Sequence, residues 1–197
     1  LNTELEISLY ENIRRNAERQ RAEKPKYKPE LKYNNIAIDK LPENDNVFLY
    51  GTGGAGKTTL LMDLINSENT INFYFPLYRY RREFHENFQT SGCWILLNIL
   101  LKYHYQYEYE TYETLTANEG ENIVLQQLTE LDKLLSDTPV NGHSEYTLIL
   151  DGMNEMGSDT QYALVQELET LCRTRKNMRI IITGRTAPKY DVFDGFQ

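Results

Sequence analysis

A glycine-rich segment at residues 51–59 carries the residue types that most clearly indicate chemistry. Gly51, Gly56, Lys57 and Thr58 occupy the fixed positions of the spacing G-x-x-x-x-G-K-[ST]. Glycines let a backbone wrap so that its N–H groups face an anion, and the start of a helix near Lys57 adds further unpaired N–H groups. We expect Lys57 to reach the β- and γ-phosphates, Thr58 to bind Mg²⁺ and Thr59 to lie near the α-phosphate.

The segment therefore predicts a site for a nucleoside triphosphate with Mg²⁺. The alternative interpretation of this segment is an ordinary glycine-rich turn that happens to precede a lysine. The apolar strand before the segment and the amphipathic residues 60–65 after it disfavour that alternative. The expected nucleotide-binding residues are consecutive: Gly51, Thr52, Gly53, Gly54, Ala55, Gly56, Lys57, Thr58 and Thr59.

Two carboxylates follow the apolar run at residues 146–150. Asp151 comes directly after that run and Glu155 follows four residues later. Phosphoryl transfer needs one carboxylate to hold the water shell of Mg²⁺ and a second to orient or deprotonate the attacking water. Asp151 is the candidate for the first role and Glu155 for the second, although an Asp before Gly152 is also typical of a plain turn.

A third apolar run, at residues 178–183, ends in Thr183 and is followed by Arg185. Thr183 is a candidate for bonding the attacking water or a phosphate, and Arg185 for contacting the γ-phosphate. The alternative for Arg185 is an ordinary surface arginine. Because ligands bind at the carboxyl ends of parallel strands, we expect Lys57, Asp151 and Arg185 to face one crevice.

The elements that would position these residues alternate between strands and helices. Apolar runs predict strands at 47–50, 70–77, 146–150 and 178–183, and periodicity predicts helices from residue 3 into a basic stretch and at 57–66, 91–103, 119–136 and 159–173. This alternation indicates a mainly parallel sheet with helices on both faces, a three-layer α/β fold. The tyrosine-rich segment 103–112 fits a short strand, a helix end or an insertion loop, and its rings fit either packing or a platform for a base or sugar.

Length and charge narrow the function classes. The 197 residues suit one α/β core, expected at 33–197, after an N-terminal helix and basic linker at 1–32. The net charge of −8 argues against the whole surface acting as a nucleic-acid platform. The basic stretch from Arg14 to Lys32 fits a solvated helix or linker, or a contact to nucleic acid or an acidic partner. The chain has neither a long apolar run for a membrane nor a secretory signal. Cys93 and Cys172 fit no metal spacing and suggest reduced thiols in a cytoplasmic protein.

Together, the three segments VFLYGTGGAGKTT, LILDGMNE and IIITGRT resemble the NACHT group of STAND-type P-loop ATPases. The resemblance implies a P-loop NTPase core that binds ATP or ADP with Mg²⁺, hydrolyses ATP slowly and controls self-association of a larger signalling or defence protein. It also implies that the chain, which lacks an initiator Met, is a fragment that stops before a helical lid and a winged-helix region.

The chain departs from the family pattern at two positions. Asn154 stands where the family usually carries an acid, so hydrolysis would depend on Glu155 alone, and Gly184 replaces a small hydroxyl residue. Other classes remain open: an AAA+-type remodelling or DNA-loading ATPase, a small-molecule kinase, or a scaffold that binds nucleotide without hydrolysis. Remodelling and DNA-loading ATPases more often place a glutamate directly after the Mg²⁺ aspartate, where this chain has Gly152.

Overall fold

A computed structural model describes residues 2–20, 31–33, 36–38, 40–67, 70–80, 93–108 and 110–197. Within them the strands are β1 (Leu31–Tyr33), β2 (Ile36–Ile38), β3 (Val47–Tyr50), β4 (Ile71–Pro76), β5 (Tyr146–Asp151) and β6 (Met178–Gly184). The α-helices are α1 (Asn2–Gln20), α2 (Lys57–Ser67), α3 (Trp94–Ile99), α4 (Tyr112–Glu119), α5 (Glu121–Ser136) and α6 (Ser158–Thr174). A π-helix, Leu100–Tyr105, continues α3.

Among the described residues, the main sheet has four strands, all parallel, in the order β3-β6-β5-β4. The chain therefore passes from one edge of the sheet to the other through α2 and then returns inwards, so β6 enters last between β3 and β5. The connection from β3 to β4 and the connections from β4 to β5 and from β5 to β6 run in opposite directions across the sheet. Because such crossovers are right-handed, α2 lies on one face and the later helices lie on the other. All four strands of this sheet were predicted from apolar runs.

Alternate residues of the strands supply two separate cores. Leu148 and Leu150 belong to the larger core, together with residues of α1, α3, α5 and α6. Ile149 and Ile181 belong to a smaller core with Leu61 and Ile65 of α2. Successive side chains of a strand point to opposite faces, so both faces are covered and the predicted three-layer α/β fold is confirmed.

Two local features differ from the prediction. The antiparallel pair β1–β2 was not predicted, because strands of three residues are too short to show alternation. The helix expected at 119–136 is observed as α5, and Gly120, whose φ of +85° is a left-handed conformation that favours glycine, separates it from the unpredicted helix α4. The extra helix α4 begins at Tyr112, where the hydroxyl of Thr111 accepts a hydrogen bond from the N–H of Thr114 at 3.2 Å.

The tyrosine-rich segment 103–112 contains a helix end. The π-helix extends through Tyr105, and the chain then leaves it through Gln106, which has a φ of +66°. Tyr103 is fully buried in the larger core, whereas Tyr107 is exposed. Of the two alternatives for these rings, packing and a platform for a base or sugar, Tyr103 therefore fits packing.

Helix α1 packs on the larger core although it precedes the sheet by more than twenty residues. Leu9 and Ile13 are fully buried there, and the amide of Asn16 donates to the carbonyl of Tyr103 at 2.6 Å. The basic stretch beyond residue 20 and positions 91–92 of the helix predicted at 91–103 lie outside the described residues. Within the described residues, neither Cys93 nor Cys172 forms a disulfide. Among the described helices, none has the length and apolar character needed to cross a membrane.

Helix α3 begins against a buried carboxyl group. One oxygen of Glu167, on α6, accepts a hydrogen bond from the N–H of Ile95 at 2.7 Å and so satisfies one unpaired donor of the helix start. Glu167 is only 6% exposed, and its other oxygen has no hydrogen-bond partner within the described part of the chain. Burial raises the pKa of this carboxyl group to about 8, against the Ile95 hydrogen bond, which lowers it.

We predict that Glu167→Gln becomes more stabilising as the pH rises. Because the folded pKa lies above the ordinary value of 4.5, stability from the protonated carboxyl is present below about pH 4.5 and is lost as the pH rises towards 8. Glutamine keeps the acceptor for Ile95 without the charge, so its advantage in unfolding free energy should approach the order of 4 kcal/mol above pH 8. Denaturant unfolding between pH 4.5 and 8.5 measures this, with the exposed Glu169→Gln as control. Parallel curves for wild type and Glu167→Gln would contradict it.

Candidate functional site

The glycine-rich loop (residues 51–56) joins β3 to α2 and is exposed over residues 52–55. Gly54 and Gly56 have φ values of +78° and +82°, which a side chain would strain. The N–H of Leu60 donates to the carbonyl of Gly56 at 2.9 Å and forms the first bond of the helix. The N–H groups of residues 57–59 precede that bond, so they belong to the helix start that can hold an anion.

The side chain of Lys57 lies back across the glycine-rich loop. Its ammonium donates to the carbonyl of Gly51 at 2.7 Å and to the carbonyl of Thr52 at 3.0 Å. The positive charge is therefore beside the loop whose N–H groups also attract an anion.

Asp151, at the carboxyl end of β5, is the centre of a hydrogen-bond network. Its Oδ2 accepts from the hydroxyl of Thr58 at 2.8 Å and from the hydroxyl of Tyr74 at 3.0 Å. Its Oδ1 accepts from the hydroxyl of Thr183 at 2.6 Å, and Thr183 in turn accepts from the N–H of Gly152 at 2.8 Å. One carboxylate thus joins β4, β5 and β6 to the first turn of α2.

Tyr74 was not among the residues predicted from the sequence. Its burial and then the negative charge of Asp151 raise the pKa of its hydroxyl, so it remains a neutral donor. Strand alternation could have placed it on the face of α2, but only the sheet order shows that it reaches Asp151.

The oxygens of Thr58 and Asp151 suit Mg²⁺. Because the hydroxyl of Thr58 donates its proton to Asp151, the lone pairs of the Thr58 oxygen remain available to a cation. Within the described residues no group of three or more acidic, His or Cys side chains could enclose a metal ion. This donor set fits a cation that keeps waters and binds mainly through one or two protein oxygens and a substrate phosphate.

Glu155 ends a short 3₁₀ helix, Met153–Glu155, directly after Asp151 and Gly152. Gly152 has a φ of +88°, and a Cβ placed on it would lie 3.4 Å from the carboxyl carbon of Glu155. The Glu155 N–H also donates to the carbonyl of Gly152 at 2.8 Å. The half-buried Glu155 carboxyl is therefore folded back over Gly152, while Asn154 is exposed.

Lys57 and Arg185 line two different clefts. A cleft of about 1260 Å³ begins at the glycine-rich loop and includes Lys57. Arg185 is exposed and lines a cleft of about 290 Å³. Phe48, Pro188 and Phe193 line both. The structure thus joins Thr58, Asp151 and Thr183 directly, but places Arg185 in the neighbouring cleft.

Gly184 has a packing reason in this chain. A Cβ at this position would lie 3.0 Å and 3.1 Å from two ring carbons of Phe48, which is tighter than most Cβ contacts in proteins. The small hydroxyl residue expected here from the resemblance would require the Phe48 ring to move.

One comparison with known proteins gives a match. The family model described as Nephrocystin 3, N-terminal matches residues 33–185, well over half of the 197 residues. The chain belongs to this family. Neither the curated proteins nor the solved structures gave a match. The span matched by the Nephrocystin 3 N-terminal model runs through the glycine-rich loop, Asp151 and Glu155 and ends at Arg185.

We predict that Gly152→Ala destabilises the fold through its backbone conformation. A left-handed conformation costs a residue with a Cβ about 1–2 kcal/mol, whereas the added Cβ would make only ordinary contacts with Glu155, at 3.4 Å and beyond. Gly157→Ala is the matched control, because Gly157 has a φ of −66° and nothing within 4 Å of an added Cβ. Chemical unfolding of both variants measures the difference. Equal losses at the two positions would show that the conformation of Gly152 is unimportant.

Proposed function

We propose that this chain binds ATP with Mg²⁺, hydrolyses it slowly and acts as the NACHT/STAND-like switch domain of a larger protein. The observation that carries the proposal is the 2.8 Å hydrogen bond between Thr58 and Asp151. It joins the helix after the glycine-rich loop to the aspartate of a second motif 93 residues away, as a shared Mg²⁺–triphosphate site requires.

Triphosphate binding is supported by charge and geometry at the loop. The N–H groups at the start of α2 and the ammonium of Lys57 attract the same anion, and the exposed loop leaves room for it. The net charge of −8 again argues against the whole surface acting as a nucleic-acid platform.

The larger cleft supports a place for the base and ribose. It starts at Tyr50, Gly51 and Thr52, and apolar side chains that include Leu41 and Phe193 line it. Ligand sites of this kind are mostly apolar with a few polar groups. Adenine is proposed from the resemblance, and the sequence has no guanine-reading N/T-K-x-D motif.

Two carboxylates would have separate roles in hydrolysis. Mg²⁺, when bound, would neutralise charge on the phosphates. Asp151 would hold the hydroxyl of Thr58 and the water shell of the ion, while Lys57 would place the transferred phosphate. Glu155, folded over Gly152 only four residues after Asp151, would orient or deprotonate the attacking water. With Asn154 beside it, this second role falls to one carboxylate.

The switch function follows from the family resemblance. ATP and ADP states would have to differ in their contacts, because a ligand shifts an equilibrium only through differential affinity. Arg185 is the proposed contact to the γ-phosphate in one of these states, and because it lines the neighbouring cleft, that contact would require its side chain to move. Self-association of the full-length protein in the cytoplasm is the proposed output. A non-hydrolysing scaffold and an AAA+-type or DNA-loading ATPase are the competing functions, of which Gly152 disfavours the latter.

We predict that Lys57→Ala weakens ATP binding at least about a hundredfold with the fold intact. Contacts of a charged group to phosphates contribute about 1.5–3 kcal/mol each, and about 2.7 kcal/mol corresponds to a hundredfold change in affinity. Calorimetric titration with Mg²⁺ and ATP measures it, beside the exposed Lys176→Ala as control. Unchanged affinity for ATP in Lys57→Ala would refute the proposed site.

We predict that Glu155→Gln slows single-turnover hydrolysis by about 10²–10⁴-fold, the usual contribution of general base catalysis, while ATP binding is retained. Glutamine keeps the size of the side chain but cannot accept the proton. Glu169→Gln serves as the surface control. Equal rates in wild type and Glu155→Gln would remove Glu155 from the mechanism, and no hydrolysis in wild type would favour the scaffold.

A further inference from the structure

Tyr74 contacts the proposed Mg²⁺ site, but neither the three motifs nor the family match gives it a role. It lies on β4, and its hydroxyl donates to Oδ2 of Asp151 at 3.0 Å. The same oxygen accepts the hydroxyl of Thr58 at 2.8 Å. Two neutral hydroxyls from different elements therefore share one carboxylate oxygen.

The backbone of Tyr74 is held at the edge of the sheet. Its N–H donates to the hydroxyl of Tyr103 at 2.6 Å, and its carbonyl accepts the ammonium of Lys102 at 2.8 Å. Both partners belong to the π-helix, which directs two consecutive side chains to β4. The π-helix thus fixes the position from which the phenol reaches Asp151.

Tyr74, Asp151 and Thr58 have different roles in this network. Hydrogen bonds to an ionised carboxylate are about twice as strong as neutral ones, so Tyr74 restricts the rotation of Asp151. With Tyr74 and Thr183 donating to its two oxygens, the carboxylate can accept from Thr58 in one orientation. The Thr58 hydroxyl then directs its proton to Asp151 and its lone pairs elsewhere.

We propose that Tyr74 is a positioning residue for Mg²⁺-dependent triphosphate binding, which acts by orienting Asp151 and, through it, the Thr58 hydroxyl. This inference rests on the proposed function, because it requires a Mg²⁺–triphosphate complex at Thr58 and Asp151. It distinguishes two contributions to affinity: the loop and Lys57 bind phosphate with or without the ion, whereas Tyr74 contributes only with the ion present.

The test is ATP binding to wild type and Tyr74→Phe, each measured by calorimetry in Mg²⁺ and in EDTA. Phenylalanine keeps the ring and removes only the donor. We expect Tyr74→Phe to weaken Mg²⁺–ATP binding about tenfold, the effect of one hydrogen bond of about 1.4 kcal/mol, and to leave binding in EDTA unchanged within about twofold. The midpoint of a Mg²⁺ titration at fixed ATP should rise correspondingly. Tyr162→Phe, at a tyrosine that is 58% exposed on α6, is the control and should match wild type.

Each outcome decides between the inference and the proposed function. Equal Mg²⁺ dependence in wild type and Tyr74→Phe overturns the role of Tyr74, even where Lys57→Ala abolishes binding and the proposed function stands. Equal losses in Mg²⁺ and in EDTA also overturn it, because they indicate a structural effect of the ring environment. Wild type that binds no ATP overturns both proposals.

A second measurement uses the wild-type phenol itself. Mg²⁺ added to the ATP complex should change the tyrosine ultraviolet absorbance, because the hydrogen bond of Tyr74 responds to the ion. That change should disappear in Tyr74→Phe and persist in Tyr162→Phe. The same absorbance change in all three proteins overturns the inference.

Discussion

The carboxylate of Asp151 is the constraint on which the rest of the site depends. A half-buried charge is tolerated only when hydrogen bonds replace water, and Asp151 receives them from Thr58, Tyr74 and Thr183. These donors come from the first turn of α2, from β4 and from β6. Each donor reaches Asp151 only if its element is packed and in register. The hydrogen bonds of Asp151 therefore form only when the surrounding fold is correct.

Strand alternation explains why the donors meet on one side of the sheet. In β5, Ile149 lies in the core beneath α2, and two residues later Asp151 points to the same face. In β6, Ile181 and Thr183 repeat the pattern, because Ile149 pairs with Ile181. The apolar pattern that packs α2 against the sheet thus also delivers the polar side chains to the start of that helix. A one-residue slip would move Asp151 to the opposite face.

Much of this arrangement could be predicted from the sequence, and the remainder depends on tertiary contacts. The four strands of the main sheet have strong apolar runs, and the glycine-rich loop has a fixed spacing. No local pattern distinguishes Tyr74 from the other tyrosines, because its partner is 77 residues away. The three-residue strands β1 and β2 are too short to show a period, and the break at Gly120 between α4 and α5 depends on one backbone conformation. The proximity of Thr58 and Asp151 could be predicted from the positions of the strand ends. The position of Arg185 in a separate cleft could not.

Phe48 lies beside Gly184, the residue before Arg185. A Cβ added at Gly184 would come within 3.0 Å of the Phe48 ring, and this ring contacts Phe193 with ring centroids 4.9 Å apart. Phe48 and Phe193 also line both clefts, so the residues beside Arg185 border the proposed base site. A ligand that displaces the Phe48 ring in the larger cleft would therefore change the packing at Gly184, one residue before Arg185. This shared side chain gives a nucleotide in the larger cleft a direct physical connection to the residues beside Arg185.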